Sequence, residues 1–428
     1  MEPRGALAVM AADEQGTVVP PEHRETARRR FALLVLFAIP GISLASWVTR
    51  TPAIRDQLDA TTGQMGLVLF GLSIGSMTGV ISAATFVRRY GTRRVAAVSM
   101  LLMIAGLAVI GLAAFLASAV VAFLGLLLFG LGMGAGEIAV NIDGAEVERL
   151  QGRPLLPTLH GTFSLGTVAG ALLGIWFTAV DFPVAVHLAG VAGLCATAAV
   201  LAVRAVPAGF GQRPPAATRG LRAASRRQWE VWRDSRILLI GVVALAIALA
   251  EGAANDWLPL LMVDGHGFDP KSGSLVYTGF VAAMTVGRFC GSVVVRRFGR
   301  VAVVRASASL GAVGLATVVF VDNPVVAACA VVVWGLGVSL GFPLAISAAG
   351  DGGGDATARV SAVATAGYVA FLVGPPLLGF LGDHVGLRDA MIVVLVLVVC
   401  ALFAAGATRP PAEDDDGVGH ASAGTRTG

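Results

Sequence analysis

The chain alternates between long apolar runs and short polar stretches, and each run is about 20 residues, the length that crosses a bilayer as a helix. The runs lie at 31–49, 63–87, 95–116, 119–145, 158–180 and 183–203, then at 237–257, 273–295, 301–321, 325–347, 359–381 and 388–407. This pattern predicts an all-α polytopic membrane protein with twelve spans. A polar stretch at 204–236, rich in Pro, Ala and Arg, divides the runs into two sets of six.

The two sets repeat each other. Leu67–Ser99 superimposes on Leu275–Ser307, placing Gly71 on Gly279, Gly79 on Gly287, Arg88-Arg89 on Arg296-Arg297 and Gly91 on Gly299. In both copies an apolar run ends in Arg-Arg-aromatic-Gly and then turns apolar again. Gly130-Leu131-Gly132 recurs as Gly335-Leu336-Gly337. The expected organisation is a tail at 1–30, a six-helix half at 31–203, a basic linker at 204–236, a second half at 237–407 and a disordered tail at 408–428.

Composition agrees with this pattern. The chain of 428 residues is 56% hydrophobic and 14% charged, with a mean hydropathy of +0.79, so lipid must solvate much of its surface. Of the 31 basic residues, all but Arg50, Arg55, Lys271, Arg288 and Arg388 fall in the tails, in alternate loops or at the ends of the runs beside those loops. Such loops face the cytoplasm, which predicts the cytoplasmic (inner) membrane with both termini inside. Residues 50–62, 258–272 and 382–388 are then expected outside, and 88–94, 204–236 and 296–300 inside. The first run is as long as a full span and no small-residue cleavage site follows it, so no cleavable signal is expected.

Glycine spacing marks helix contacts. Gly71, Gly75 and Gly79 on the second span recur every four residues, as do Gly166, Gly170 and Gly174 on the fifth, and each set makes a flat stripe for a neighbouring backbone. The stripes fit a contact between halves or packing elsewhere in the bundle. Pro375-Pro376 predicts a kink in the eleventh span, whose freed carbonyls must be satisfied inside the protein.

An ionisable group in a span costs about 2.5–3.5 kcal/mol on insertion scales, so each one needs a reason. Glu137 lies about 27 Å along the fourth run at 1.5 Å per residue, in the inner half. It shares a helical face with Asn141, Gly144 and Glu148. Glu251 lies about 21 Å along the seventh run, in the outer half, with Asn255 one turn on. These acids are the candidates for proton coupling, since burial favours their neutral form and lets them load and release protons. Asn141, Asn255, Trp47 and His160 are the candidate lining of a substrate cavity. Asp256 is expected to reach water, Trp257 to anchor at the interface and His187 to pack. Arg288 either pairs with an acid such as Glu137 or Asp143 or snorkels inward.

No motif supports covalent chemistry. There is no HExxH, phosphate loop, nucleophile elbow or paired-cysteine site, and Cys195, Cys290, Cys329 and Cys400 all sit in apolar runs. The Gly-rich stretch Gly350–Asp355 lacks the lysine of a phosphate cradle. No enzyme activity, cofactor or metal is expected. The linker carries no aromatic or fold signature for nucleic acid, so the expected partners are a small-molecule substrate, protons and the lipid bilayer, and the expected state is a monomer.

Twelve spans in two similar halves, each with an Arg-Arg-aromatic-Gly loop after its second span, resemble the major facilitator superfamily. Glu137–Glu148 (EIAVNIDGAEVE), His160–Gly166 (HGTFSLG) and Glu251–Trp257 (EGAANDW) are similar to its fucose-permease-like and related uncharacterised bacterial branch. The resemblance implies secondary transport by alternating access, with Arg88, Arg89, Gly91, Arg296, Arg297 and Gly299 in cytoplasmic gate loops. It also implies proton coupling at Glu137. Arg88 and Arg296 stand where the family's loop carries an acid. The first span offers no acid to match that of the fucose permeases, so sugar specificity is not implied. Drug antiporters carry an arginine on the fourth span and Gly-Pro on the fifth, where this chain has Leu126 or Leu128 and Gly170-Ala171. The leading expectation is a proton-coupled transporter of a small organic solute. The alternatives are an exporter of a hydrophobic compound and a membrane sensor on the same scaffold.

Overall fold

A computed structural model describes residues 21–152, 155–212, 231, 233–351 and 356–410. The expectations for the tails before Pro21 and after Pro410, the linker at 213–230 and the Gly-rich loop at 352–355 lie outside these residues. Among the described residues there are helices and turns and no strand. Twelve spans are long and apolar enough to cross a membrane. The first half holds α1 (Pro21–Val48), a short α2 (Thr51–Leu58), α3 (Thr62–Tyr90), α4 (Thr92–Leu116), α5 (Ala119–Gln151), α6 (Leu156–Ala179) and α7 (Val184–Val203). The second holds α8 (Ser235–His266), α9 (Pro270–Phe298), α10 (Arg300–Phe320), α11 (Pro324–Val338), α12 (Gly341–Gly350), α13 (Ala356–Val385) and α14 (Leu387–Ala404). The loops joining α3 to α4 and α9 to α10 define an arginine-rich face; the α8–α9 and α13–α14 joints lie on the far face.

Several helices overrun their apolar runs. α5 has 33 residues and α8 has 32, about 50 Å each against a hydrocarbon core of about 30 Å. Residues 258–266, expected in an outer loop, are the last turns of α8, with Leu258, Leu260, Leu261 and Met262 fully buried. Hydrogen-bonding residues start the helices. Asp269 accepts from the Lys271 and Ser272 amides at 3.0 and 3.1 Å, and Asn323 does the same for Val325 and Val326. Gly91 and Gly299 turn the chain between helices at φ +82° and +78° with extended ψ, a region open essentially to glycine.

The prolines act in different ways. The expected single run at 325–347 is broken at Ser339-Leu340 into α11 and α12. Pro343 explains the break: it has no N–H for the Ser339 carbonyl, and its ring would crowd that carbonyl in a continuous helix. α13, by contrast, continues through Pro375-Pro376. Pro375 frees the carbonyl of Phe371, which accepts from the Ser73 hydroxyl of the other half at 2.7 Å.

The glycine stripes pack within the first half. Gly71, Gly75 and Gly79 lie on the α5 backbone at Phe123, Leu127 and Leu131, and Gly130 and Gly134 return the contact at Leu72 and Ser76. Gly166 and Gly170 meet Ala38 and Ile42 of α1, and Gly174 meets Thr49. Without a hydrophobic drive between helices in lipid, such close approach is what holds them together. The halves meet along other surfaces, α3 against α13 and α6 against α9. Gly66 faces Gly379 on the first seam and Gly161 faces Phe289 on the second.

Each half ties its arginine-rich end with a buried or half-buried acid. Asp143 at the end of α5 pairs with Arg29 and accepts from Thr92, while Asp351 after α12 pairs with Arg300. Thr92 matches Arg300 in the internal repeat, and each contacts the acid near the end of the fourth span of its half. The tether therefore recurs, with Arg29 of α1 reaching the Asp143 carboxylate in one half and Arg236 of α8 reaching the Asp351 carbonyl in the other.

Candidate functional site

A cavity of about 710 Å³ lies between the halves. α1, α3, α4, α5 and α6 line it from one side and α8, α9, α12 and α13 from the other. Most of the wall is apolar, with Leu36, Phe37, Leu44, Phe163, Phe342 and Phe371 among its larger side chains and Met77, Met100, Met133 and Met284 as adaptable filling.

Six ionisable side chains interrupt this wall: Glu137 on α5, His160 on α6, Glu251 and Asp256 on α8, Arg288 on α9 and Tyr368 on α13. Glu137 stands midway along α5, exposed to the cavity, and makes no hydrogen bond or ion pair with another described residue. Tyr368 of α13, across the seam, is close enough to sense its charge. Arg288 donates to Glu251 Oε1 at 2.8 Å, so its partner is neither of the two acids expected from the sequence. Asp143 is already held by Arg29. Asn255 lines the cavity and accepts a hydrogen bond from the buried Tyr277 hydroxyl at 3.2 Å. His160 also lines it, edge-on to Phe37 with ring centroids 5.2 Å apart.

Glu137 and Glu251, expected on opposite sides of the midplane, line the same cavity. Asn141 is half-buried outside the cavity lining. Trp47 is 1% exposed and packs in the core instead of lining the cavity. Trp257 is fully buried and so anchors no interface. His187 packs as expected, its ring 4.5 Å from that of Phe177. The gate-loop arginines Arg88, Arg89, Arg296 and Arg297 are exposed on the arginine-rich face, with Arg89 over Tyr90 and Arg297 over Phe298.

Sequence reasoning missed Asp256 as a cavity residue. It is 8% exposed and lines the wall beside Asn255. The signal was present: Trp257–Val263 continues the apolar run past it. An acid with apolar residues on both sides along a helix cannot sit at the membrane edge.

The hydrogen bonds joining the halves among the described residues lie toward the far face. Ser274 donates to the Thr49 carbonyl at 2.7 Å, Thr61 to Asp383 at 3.1 Å, and Arg55 pairs with Asp264. Ser73–Phe371 is the deepest of the set.

The sequence model of the Major Facilitator Superfamily matches residues 6–147 and 158–375. The chain belongs to the major facilitator superfamily. An uncharacterised transporter of Sinorhizobium fredii is 29% identical over 375 residues, covering 86% of this chain and 93% of that protein. Among solved structures, a mutant of the nucleoside transporter NupG superimposes with a TM-score of 0.72 at 14% identity, covering 89% of this chain and 98% of that one. FucP of E. coli, a fucose:proton symporter, superimposes in its outward conformation with a TM-score of 0.63 at 16% identity, covering 90% and 100%. These structural likenesses show the fold. Members of the superfamily are transporters and not enzymes, and this facilitator is a multi-pass membrane protein with a small-molecule substrate. In the fold, a cavity shared by two halves is where a solute is held while access alternates.

Proposed function

We propose that this protein is a secondary active transporter that moves a small organic solute across the cytoplasmic membrane in exchange with, or together with, protons. Glu137 carries the reading. It is a carboxylate in the middle of a span, facing an apolar cavity, with no cation among the described residues to hold its charge. Ionised, it resists enclosure; protonated, it becomes a neutral hydrogen-bonding group that a closed cavity tolerates. Closure of the cavity therefore favours a bound proton, which links proton movement to alternating access. The likeness to a fucose:proton symporter supports this reading.

The arginine-rich face is assigned to the cytoplasm, with both termini, by the bias of basic residues between loops. On that assignment the far-face contacts close the outer side, and the described conformation opens inward. The apolar wall also supports a second reading, export of a hydrophobic compound driven by the same proton.

The test is uptake into liposomes. Glu137→Gln is expected to keep solute exchange at equal pH and to lose accumulation driven by a pH gradient. Retained concentration of solute against its gradient sinks the assignment of Glu137. Orientation is checked separately with an impermeant thiol reagent on intact cells. A cysteine at Asp59 is expected to label and one at Arg88 is not.

A further inference from the structure

The charges around the cavity are unevenly matched. Glu251 engages Arg288 at 2.8 Å, which leaves the α8–α9 pair close to neutral. Asp256 has no such partner: it is more than nine-tenths buried, lines the cavity and pairs with no described residue. Its neighbours do not supply a cation, since Tyr277 senses its charge but donates its hydroxyl proton to Asn255. Glu137 faces the same space from the other half, also without a cation.

Three of the hydroxyl donors in the wall are engaged elsewhere. Ser164 and Thr167 donate to carbonyls of their own helix at 3.2 and 3.0 Å, and Ser73 donates across the seam to Phe371. An anionic solute would find one cation, already held by Glu251. A neutral polyol would find the Ser76 and Tyr368 hydroxyls, the Asn255 amide and His160, set in a wall of phenylalanine, leucine and methionine, but would leave the buried acid without a cation. What the cavity offers unused is carboxylate, an acceptor that lacks a positive partner.

We propose that the solute is an organic cation, an apolar body bearing a protonated amine that docks on Asp256, with Glu137 facing it from the opposite half. The apolar body lies against the Phe and Met side chains, and the ammonium supplies the positive charge that the two unpaired carboxylates lack. The inference rests on the transporter reading above and assigns the substrate class of the same cavity.

Three ring-bearing amines, 2-phenylethylamine, 4-phenylbutylamine and 1-naphthylmethylamine, provide the test, each beside its matched alcohol and carboxylate. Binding to the purified full-length protein is read by calorimetry and by thermal shift at neutral pH. The amines are expected to bind at least tenfold tighter than their alcohols, and the carboxylates not at all. Asp256→Asn is expected to erase this preference and Asp256→Glu to restore part of it. If no amine binds, or if the alcohols bind as well as the amines to the wild-type protein, the proposal is overturned, and this arm needs no variant to fold. Amine binding that depends on Asp256 while no pH gradient moves the amine would keep the cation site and overturn the proton coupling instead. Transport of a neutral solute on a pH gradient, with no amine preference, would do the reverse.

Discussion

Ser73 donates its hydroxyl to the carbonyl of Phe371 at 2.7 Å, at the seam between the halves. That carbonyl has no helical partner because Pro375 stands four residues on without an N–H. One half thus supplies the hydrogen bond that a proline withholds from the other. The contact exists while α3 and α13 are apposed, so it stabilises the conformation closed at the far face.

Ser73→Ala leaves a half-buried carbonyl without this partner, at a cost of about 0.5–1.5 kcal/mol to that conformation. The expected outcome is a shift toward opening at the far face with little loss of folded protein. A cysteine at Thr61, in a background lacking the native four, is expected to react faster with an impermeant thiol reagent once Ser73 is replaced. An unchanged labelling rate would show that the bond does not favour closure.

The Glu251–Arg288 pair sets a second expectation. Glu251→Gln strands a guanidinium inside the bundle and is expected to destabilise by on the order of 1–3 kcal/mol, below the range for breaking a fully buried pair, since the pair faces the cavity. The double replacement Glu251→Gln with Arg288→Met is expected to recover most of that loss. A double-mutant cycle by thermal denaturation in detergent measures the coupling, and additivity would show that the two side chains act independently.

Gly75 lies against the α5 backbone at Leu127, where an added Cβ would collide with the carbonyl oxygen. Gly75→Leu is expected to separate α3 from α5 and lower the yield of folded protein. Gly193→Ala is the control, because nothing lies within 4 Å of the added carbon, and it is expected to be neutral. Equal behaviour of the two variants in size-exclusion profiles and thermal shift would contradict the packing.

Asp269 caps α9 outside the membrane. The Ser272 hydroxyl, with the amides of Ser272 and Lys271, holds its carboxyl below the usual carboxylate range. A depressed value means that the stabilisation is present above the unfolded-state pKa and is lost as pH falls through the folded value. Asp269→Ala is expected to cost about 0.5–2 kcal/mol near neutrality. The difference between variant and wild type is expected to shrink in acid. A thermal-shift difference that stays constant from pH 7 to pH 3 would refute the charge contribution.

The sequence by itself determined the number of spans, their doubling, the turns at Gly91 and Gly299 and the two acids at Glu137 and Glu251. These follow from properties carried locally along the chain: apolar length, helical period, a turn that admits only glycine, and the cost of placing charge in lipid. What only the tertiary structure decided was which surfaces meet. A glycine stripe announces a close neighbour without naming it, so the α3 stripe could not be assigned to α5 rather than α13. Arg288 found Glu251 because α8 lies beside α9, a relation that no spacing within either helix contains. Trp47, expected in the cavity, packs in the core, and Asp256, expected to reach water, lines the cavity. Helical periodicity gives which residues share a face, but where that face points depends on the helices packed around it.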